Sequence, residues 1–327
     1  MIVFRTDASR KTGFGRLNRC AYLASLIKSQ IEVLFCIDAA KDKIAARFLQ
    51  EKNFSCCFLK DLVHREDQSI ESIVFDLKNF TDDDTRLIHR AKKSDKKTKT
   101  IQITELGLNR QDVDTFIDAS IDKLLPYSDD NEVLSGPGFA ILHSKSRHFN
   151  KIKRKYRKKI KRVFICLGGA VEYNRLRKAV DLLSRQQLKI KIAPGFYLKP
   201  SNQKTLRRIY PGIHFVGKTE SLARSFFEAD AALITPGIAA YEAAAAGTPA
   251  LYCYAGKEQK FSGESFEKQG AGLVISTIDD LRHGDLVEKM NALTLEKRID
   301  MGRKGKQLVD AKGVYRIIDF FRHKKII

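Results

Sequence analysis

Twice in this chain a short apolar strand breaks into glycine and then enters a helix, and no other feature limits the possible fold as strongly. Ile2, Val3 and Phe4 lead to Gly13 and Gly15, after which Leu17, Cys20, Ala21, Leu23, Ala24 and Ile27 recur at helical spacing. Residues 162–167 (RVFICL) repeat the pattern, with Gly168-Gly169 next and a helix expected over about 174–185. Helix N-termini carry unpaired N–H groups and the positive end of the helix dipole, so a glycine loop placed there suits a phosphate or carboxylate. It serves equally well as a tight structural turn.

Around these two starts, strand and helix signals alternate. In the first half, strands are expected at 31–37, 56–59, 72–76 (SIVFD) and 98–103, with helices at about 39–52 and 82–93. In the second half, strands are expected at 189–193, 214–216, 231–234, 250–254 and 272–276, and three helices close the chain at about 278–292, 296–311 and 314–323. Alternation at this spacing specifies βαβ units and parallel sheets, and 327 residues are more comfortable as two domains than as one. The expected fold class is therefore α/β, two Rossmann-like domains facing each other across a cleft, divided as 1–150 and 151–327. Ligands of such sheets bind at the carboxyl ends of the strands, where Asp7, Gly15 and Asp76 would gather.

The charge is unusual: 60 Lys and Arg against 39 Asp and Glu give +21. Such an excess attracts nucleic acid, anionic lipid or anionic small molecules, and it also arises in lysine-rich proteomes with no polyanion partner. Residues 151–162 (KIKRKYRKKIKR) hold nine Lys or Arg and no acid, with Ile152, Tyr156 and Ile160 at four-residue spacing. One exposed helix is expected there, either an anionic docking face suited to a membrane surface or a solvated connector. Nucleic acid is an unfavoured partner, because the run lacks interleaved aromatics and the chain lacks helix-turn-helix and RNP patterns. The six cysteines show no CxxC spacing with histidines, so neither a zinc site nor a disulfide framework is expected, and no cofactor is called for. No run reaches the roughly 18 apolar residues of a bilayer span, and the chain is read as cytoplasmic, with peripheral contact at the inner membrane as the extension of the docking reading.

The densest chemical signal is 235–249 (TPGIAAYEAAAAGTP). A strand ends in Thr-Pro-Gly, and a helix of very small residues then approaches its neighbours closely, placing Glu242 one turn inside. A carboxylate there can accept from both hydroxyls of a ribose, while Pro236, Gly237 and Ile238 at the helix start, with Gly168-Gly169, take a diphosphate. Glu242 could instead only complement the helix dipole.

These residues together resemble a known family, the UDP-sugar hydrolases of the pseudaminic acid pathway (UDP-2,4-diacetamido-2,4,6-trideoxy-β-L-altropyranose hydrolases), relatives of the murein-type GT-B glycosyltransferases. The family's R-x-D and G-x-G-H-x-x-R are similar to Arg5-Thr6-Asp7, Gly13-Phe14-Gly15, Arg16 and Arg19, and its G-P-x-Y-A-L-L to residues 136–142 (GPGFAIL). Gly168-Gly169 and Glu242 stand at its second-domain glycine pair and nucleotide-binding glutamate. The resemblance implies a GT-B fold, UDP held mainly by the second domain, a sugar or acceptor by the first, and hydrolysis of a UDP-linked amino sugar in surface glycan or nonulosonic acid synthesis. It also implies Gly13, Gly15, Arg19 and Gln259 as substrate-binding residues, with Arg16 and Asp7 as the catalytic candidates.

The family's histidine is Arg16 here, its tyrosine is Lys78, and the asparagine of its N-Q pair is Glu258. Arginine stays protonated at neutral pH and cannot act as a base, though it can bind phosphate bidentately. The alternative is accordingly a GT-B glycosyltransferase or a non-hydrolytic nucleotide-sugar-binding protein. Replacement bases to consider are Asp7, Asp76, Glu105 and Glu258, while His143 and His148 read as surface or packing residues.

Overall fold

The structure, a computed structural model, describes residues 1–9, 13–38, 43–64, 69–108, 111–129, 131–217 and 221–327. The backbone forms two compact units: residues 1–141 with 313–327, and residues 142–312. The second unit therefore begins at Leu142 rather than at 151, and the final helix belongs to the first unit rather than the second.

The first unit runs β1 (Ile2–Thr6), α1 (Gly15–Ile27), β2 (Val33–Ile37), α2 (Lys43–Glu51), β3 (Ser55–Phe58), α3 (Leu59–His64), β4 (Ser72–Asp76), α4 (Asp82–Ser94), β5 (Lys99–Thr104), β6 (Thr115–Asp118) and β7 (Glu132–Ser135). These strands make one parallel sheet in the order β3-β2-β1-β4-β5-β6-β7. Every residue of β1 and β4 is buried, as expected for central strands covered on both faces. Thr81 caps α4, accepting from the Asp84 N–H while the Asp84 carboxylate accepts from the Thr81 N–H at 2.9 Å. The other oxygen of Asp84 accepts from Arg5 Nε at 2.6 Å, so one carboxylate caps the helix and neutralises a buried strand cation.

The second unit contains α5 (Ser144–Lys151), β8 (Arg162–Cys166), α6 (Tyr173–Ser184), β9 (Lys189–Ile192), α7 (Pro200–Ile209), β10 (Ile213–Phe215), α8 (Ala223–Glu228), β11 (Ala231–Ile234), α9 (Ile238–Ala245), β12 (Ala250–Tyr254), α10 (Lys257–Lys268), β13 (Leu273–Thr277), α11 (His283–Asn291) and α12 (Leu295–Leu308). Its parallel sheet has the order β10-β9-β8-β11-β12-β13. In both sheets the first strand is flanked by strands added in opposite directions, which is the topological switch point of a doubly wound fold.

The last helix, α13 (Gly313–His323), buries Val314, Ile317, Ile318 and Phe321 in the first unit. Gly313 permits this, because a Cβ there would lie 2.3 Å from the Ala140 carbonyl oxygen. Arg316 Nη1 then donates to Gly138 O at 2.7 Å. The sequence pattern shows a helix with an apolar stripe but not the surface that stripe covers.

The basic run departs from expectation. Only Lys151 is helical, and residues 152–161 cross the second unit as an extended strap. The four-residue apolar spacing suggested a helix, but the backbone follows acceptors instead. Arg154 donates to Phe226 O, Ala229 O, Ala246 O (3.2 Å) and Thr248 Oγ1 (2.9 Å), carbonyls at the C-terminal ends of α8 and α9. Tyr156 Oη donates to Gly247 O at 2.9 Å. Asp230, 3% exposed, accepts from Arg157 Nη1 at 2.8 Å and from the Lys161 and Arg162 N–H groups at 2.9 Å. A guanidinium on the negative end of two helix dipoles satisfies carbonyls that the helices leave unpaired. Burial lowers Arg154 to about 10, which leaves it charged at neutral pH.

Arg154→Ala is expected to remove the guanidinium donor from the Ala229 and Ala246 carbonyls, costing about 1–3 kcal/mol and lowering the melting temperature by roughly 3–10 °C in calorimetry. Lys158→Ala, an exposed position on the same strap, is expected to shift it by less than about 1 °C. Equal shifts for the two would refute the capping role.

Candidate functional site

In the first unit the candidate residues converge where β1, β4 and β5 end and α1 begins. Asp76, the last residue of β4, has no solvent exposure. Arg19, one turn into α1, grips it bidentately, with Nε to Oδ2 and Nη2 to Oδ1 both at 2.6 Å, and sends Nη1 to Glu105 at 2.9 Å. Arg16 lies 3.7 Å from Asp76 and 3.5 Å from Glu105. Cys20 Sγ adds a contact to Asp76 at 3.4 Å. The spacing of 16, 19 and 20 on one helix face delivers all three groups to the same carboxylates.

The electrostatics separate the three acids. The surroundings of Glu105 disfavour its charge, but Arg19 and Arg16 outweigh them and hold its carboxyl below the ordinary range. Asp7 goes the other way. Burial raises its pKa, Arg16 opposes and Asp76 reinforces that shift, and the Lys78 backbone N–H supplies a hydrogen bond to the carboxylate. Its Oδ1 is buried and has no hydrogen-bond partner among the described residues. Thus both arginines are committed to Asp76 and Glu105, while Asp7 keeps a lone pair unsatisfied.

Gly13 does not present an open N–H, since it donates to Ser9 O at 2.8 Å and accepts from Ser9 N at 3.3 Å. Gly15 is the first residue of α1, whose N-terminus has no side-chain cap.

The second unit brings Gly168, Gly169, Pro236, Gly237 and Ile238 to the carboxyl ends of β8 and β11. Gly168 has φ +85°, a left-handed conformation that favours glycine, and a Cβ there would stand 3.5 Å from Thr235 Oγ1. The α9 helix starts at Ile238 with no side chain capping it. Ala239, Ala240 and 243–246 are buried, and their size lets α12 approach closely, so that a Cβ at Gly305 would stand 3.0 Å from the Ala244 carbonyl oxygen.

Glu242 lies on α9 and is partly buried. Its Oε1 accepts from Ser221 Oγ at 3.1 Å and from the Leu222 N–H at 3.3 Å. Cys166, at the end of β8, lies close enough that Glu242 helps to raise its thiol, which burial pushes up to about 12 despite an opposing Gly168 N–H. Burial likewise lifts Glu242 itself from an ordinary 4.5 to about 7, the Ser221 and Leu222 donors only partly opposing it. Ser221, whose hydroxyl also accepts from Ala223 N at the start of α8, is a partner that sequence reasoning missed. The serine just ahead of that helix was the available signal.

Gln259 takes a structural position, its Oε1 accepting from Ala255 N at 2.8 Å to close the start of α10, and Glu258 beside it is exposed. His143 caps α5 through Lys145 N at 3.1 Å, and His148 packs edge-on against Phe149.

Comparison with known proteins adds the following. No family model matches the chain. The spore coat polysaccharide biosynthesis protein SpsG of Bacillus subtilis (strain 168) is 22% identical over 336 residues, spanning 95% of this chain and 94% of that protein. Among solved structures, Acinetobacter baumannii MurG superposes with a TM-score of 0.70 at 13% identity, covering 98% of this chain and 99% of that one. S. aureus MnaA, solved with UDP, gives 0.65 at 11% identity, covering 100% and 97%. Two parallel α/β units with these neighbours establish the GT-B fold.

The raised carboxyl of Glu242 fixes the sign of a pH effect. Below about pH 4.5 it is protonated both folded and unfolded; between there and about 7 only the unfolded chain gives up the proton, so stability falls, and above 7 the loss levels off at about 3 kcal/mol. Glu242→Gln is expected to abolish this component, so that denaturation curves of the two proteins diverge from pH 5 to 7.5 with the variant the more stable at pH 8. Parallel curves would disprove the shift.

Proposed function

We propose that the chain is an enzyme of glycan biosynthesis that uses a UDP-sugar and transfers its glycosyl group to a hydroxyl acceptor. The nucleotide is assigned to the second unit. The observation that carries this assignment is Glu242, a carboxylate on the small-residue helix α9, joined to the Ser221 loop and close to the β8 end that opens into Gly168-Gly169. A ribose donates two hydroxyls to such a carboxylate, and the uncapped start of α9 with the glycine turn takes the diphosphate. The UDP seen with S. aureus MnaA and the biosynthetic role in the name of SpsG support the same reading.

In the first unit, Asp7 is the base. Arg16 cannot accept a proton, and Asp76 and Glu105 are occupied by arginines, whereas Asp7 combines a raised pKa with an unpartnered buried oxygen. The acceptor hydroxyl gives its proton to Asp7 as its oxygen bonds to the anomeric carbon; the bond from that carbon to the diphosphate breaks and UDP leaves with the electron pair. Arg16 and Arg19 hold the cluster in position and favour negative charge beside it. Hydrolysis, the activity implied by the sequence resemblance, is the same displacement with water as acceptor. It is the second reading, because Asp7 can activate water equally well. Transfer is placed first because Arg16 stands where the resembled hydrolases carry a histidine, and a guanidinium cannot take a proton from water.

Calorimetry is expected to show UDP binding that Glu242→Ala weakens by about tenfold or more. Mass analysis of reactions with a panel of UDP-sugars, with and without hydroxyl acceptors, is expected to show products that Asp7→Asn reduces by about 100-fold while UDP affinity holds. Absence of UDP binding would overturn the nucleotide assignment. UDP release without acceptor at the full rate would replace transfer by hydrolysis.

A further inference from the structure

The strap over residues 152–161 has two sides of different chemistry. Arg154, Tyr156 and Ile160 turn inward, while Lys151, Lys153, Lys155, Lys158, Lys159, Lys161 and Arg162 are exposed. Of the nine basic residues at 151–162, only Arg157 has an acidic partner, Asp230, among the described residues.

The cations beneath the strap add to its field instead of cancelling it. Arg298, 1% exposed, donates to Leu293 O and to the strap carbonyls of Arg157 (2.7 Å) and Lys158 (2.9 Å). Lys306 Nζ donates to Phe149 O, Asn150 O and Ile152 O at 3.1, 3.0 and 2.7 Å. Arg154, Arg298 and Lys306 thus hydrogen-bond to neutral oxygens, and Asp230, which Arg157 already engages, is the acid whose field reaches both Arg154 and Arg298.

Position matters as well. The strap touches Asp230, Ala229, Gly247 and Thr248, the residues just before β11 and β12, and it ends where β8 begins. It therefore covers the amino ends of the parallel strands, whereas Gly168, Gly237 and Glu242 stand at or beyond the carboxyl ends of β8 and β11.

We propose that the outward lysine row of this strap is a docking surface for an anionic phospholipid bilayer. It would hold the second unit by its amino-end face and leave the nucleotide end open to solvent. Three features favour lipid over nucleic acid. The outward groups are mostly lysines, strongly hydrated point charges suited to a diffuse anionic plane rather than to bidentate readout. The aromatic ring of the strap, Tyr156, is turned inward and offers nothing for a base to stack on. Ile152, 36% exposed at the start of the strap, supplies an apolar group at the same edge. Among the described residues no helix is long and apolar enough to cross a membrane, so this contact is peripheral and electrostatic. It goes beyond the proposed reaction and holds whichever glycosyl acceptor is used.

Vesicle sedimentation with the full chain tests it. The protein is expected to pellet with phosphatidylglycerol vesicles and not with phosphatidylcholine vesicles at low salt, and to be released as salt rises to about 0.5 M. The quadruple variant Lys153→Gln, Lys155→Gln, Lys158→Gln and Lys159→Gln is expected to bind at least about tenfold more weakly with its melting temperature preserved. A variant with the same loss of charge elsewhere on the unit, Lys199→Gln, Lys204→Gln, Arg208→Gln and Lys257→Gln, is expected to retain binding. No binding to the anionic vesicles, or equal weakening by both variants, would overturn the proposal. An RNA or DNA oligonucleotide that displaces the vesicles and itself depends on the strap lysines would reassign the surface to nucleic acid.

Discussion

Asp76 has no solvent to turn to, and a carboxylate in that position must be met by a cation held rigidly in place. Much of the first unit's ligand-facing end follows from this requirement. Arg19 reaches Asp76 only if α1 lies across the end of β4, and the buried face formed by Leu17, Cys20, Ala21, Leu23 and Ala24 holds the helix there. With Arg19 so placed, its third nitrogen finds Glu105 and Arg16 falls beside the same pair of acids. Asp7, a third carboxylate near the cluster, is pushed upward by burial and by Asp76, and the pull of Arg16 offsets this only in part. One enclosed charge thus divides three acids into two structural anchors and one reactive candidate.

The sheets were legible because central parallel strands are buried on both faces and read as short apolar runs such as Ile2–Phe4 and residues 72–76. Thr115–Asp118 and Glu132–Ser135 were missed: each has four residues, and among the described residues the connections leading into them carry no helix to complete a βαβ signature. The helix expected over 151–162 failed for a different reason. Spacing reports only what a segment would bury as a helix, and this one is pulled straight by carbonyls at the ends of α8 and α9, which lie 72 to 92 residues further along the chain. A guanidinium at a helix end can outbid a weak local preference, since nothing in KIKRKYRKKIKR except Ile and Tyr at every fourth position favours a helix with so much like charge.

Legibility of the candidate site follows the same division. Glycine and alanine announce close approach wherever they occur, so Gly168 and the helix bearing Glu242 could be read directly. Partners could not. Ser221 and Leu222 meet Glu242 from 21 and 20 residues upstream, and Glu105 meets Arg19 from 86 residues downstream. Gln259 has a local use that the sequence did not show, since a polar side chain early in a helix can close the turn before it.

A parallel α/β unit sorts charge without any special device. Each connecting helix starts above the carboxyl end of one strand and finishes below the amino end of the next, so N–H groups and positive dipole ends collect on one side and carbonyls on the other. The second unit exploits both consequences. Where N–H groups gather, glycine turns and an uncapped helix leave room for an anion; where carbonyls gather, Arg154, Tyr156 and Lys306 fill them. The cations recruited to satisfy carbonyls bring positive charge to that face, with Asp230 as the acid that acts on Arg154, Arg157 and Arg298 together. Arg154, Arg298 and Lys306 therefore lie together with the exposed lysines of the strap at the end opposite Gly168 and Gly237. That separation makes it chemically consistent for one unit to hold a soluble nucleotide at one end and to meet a polyanionic surface at the other.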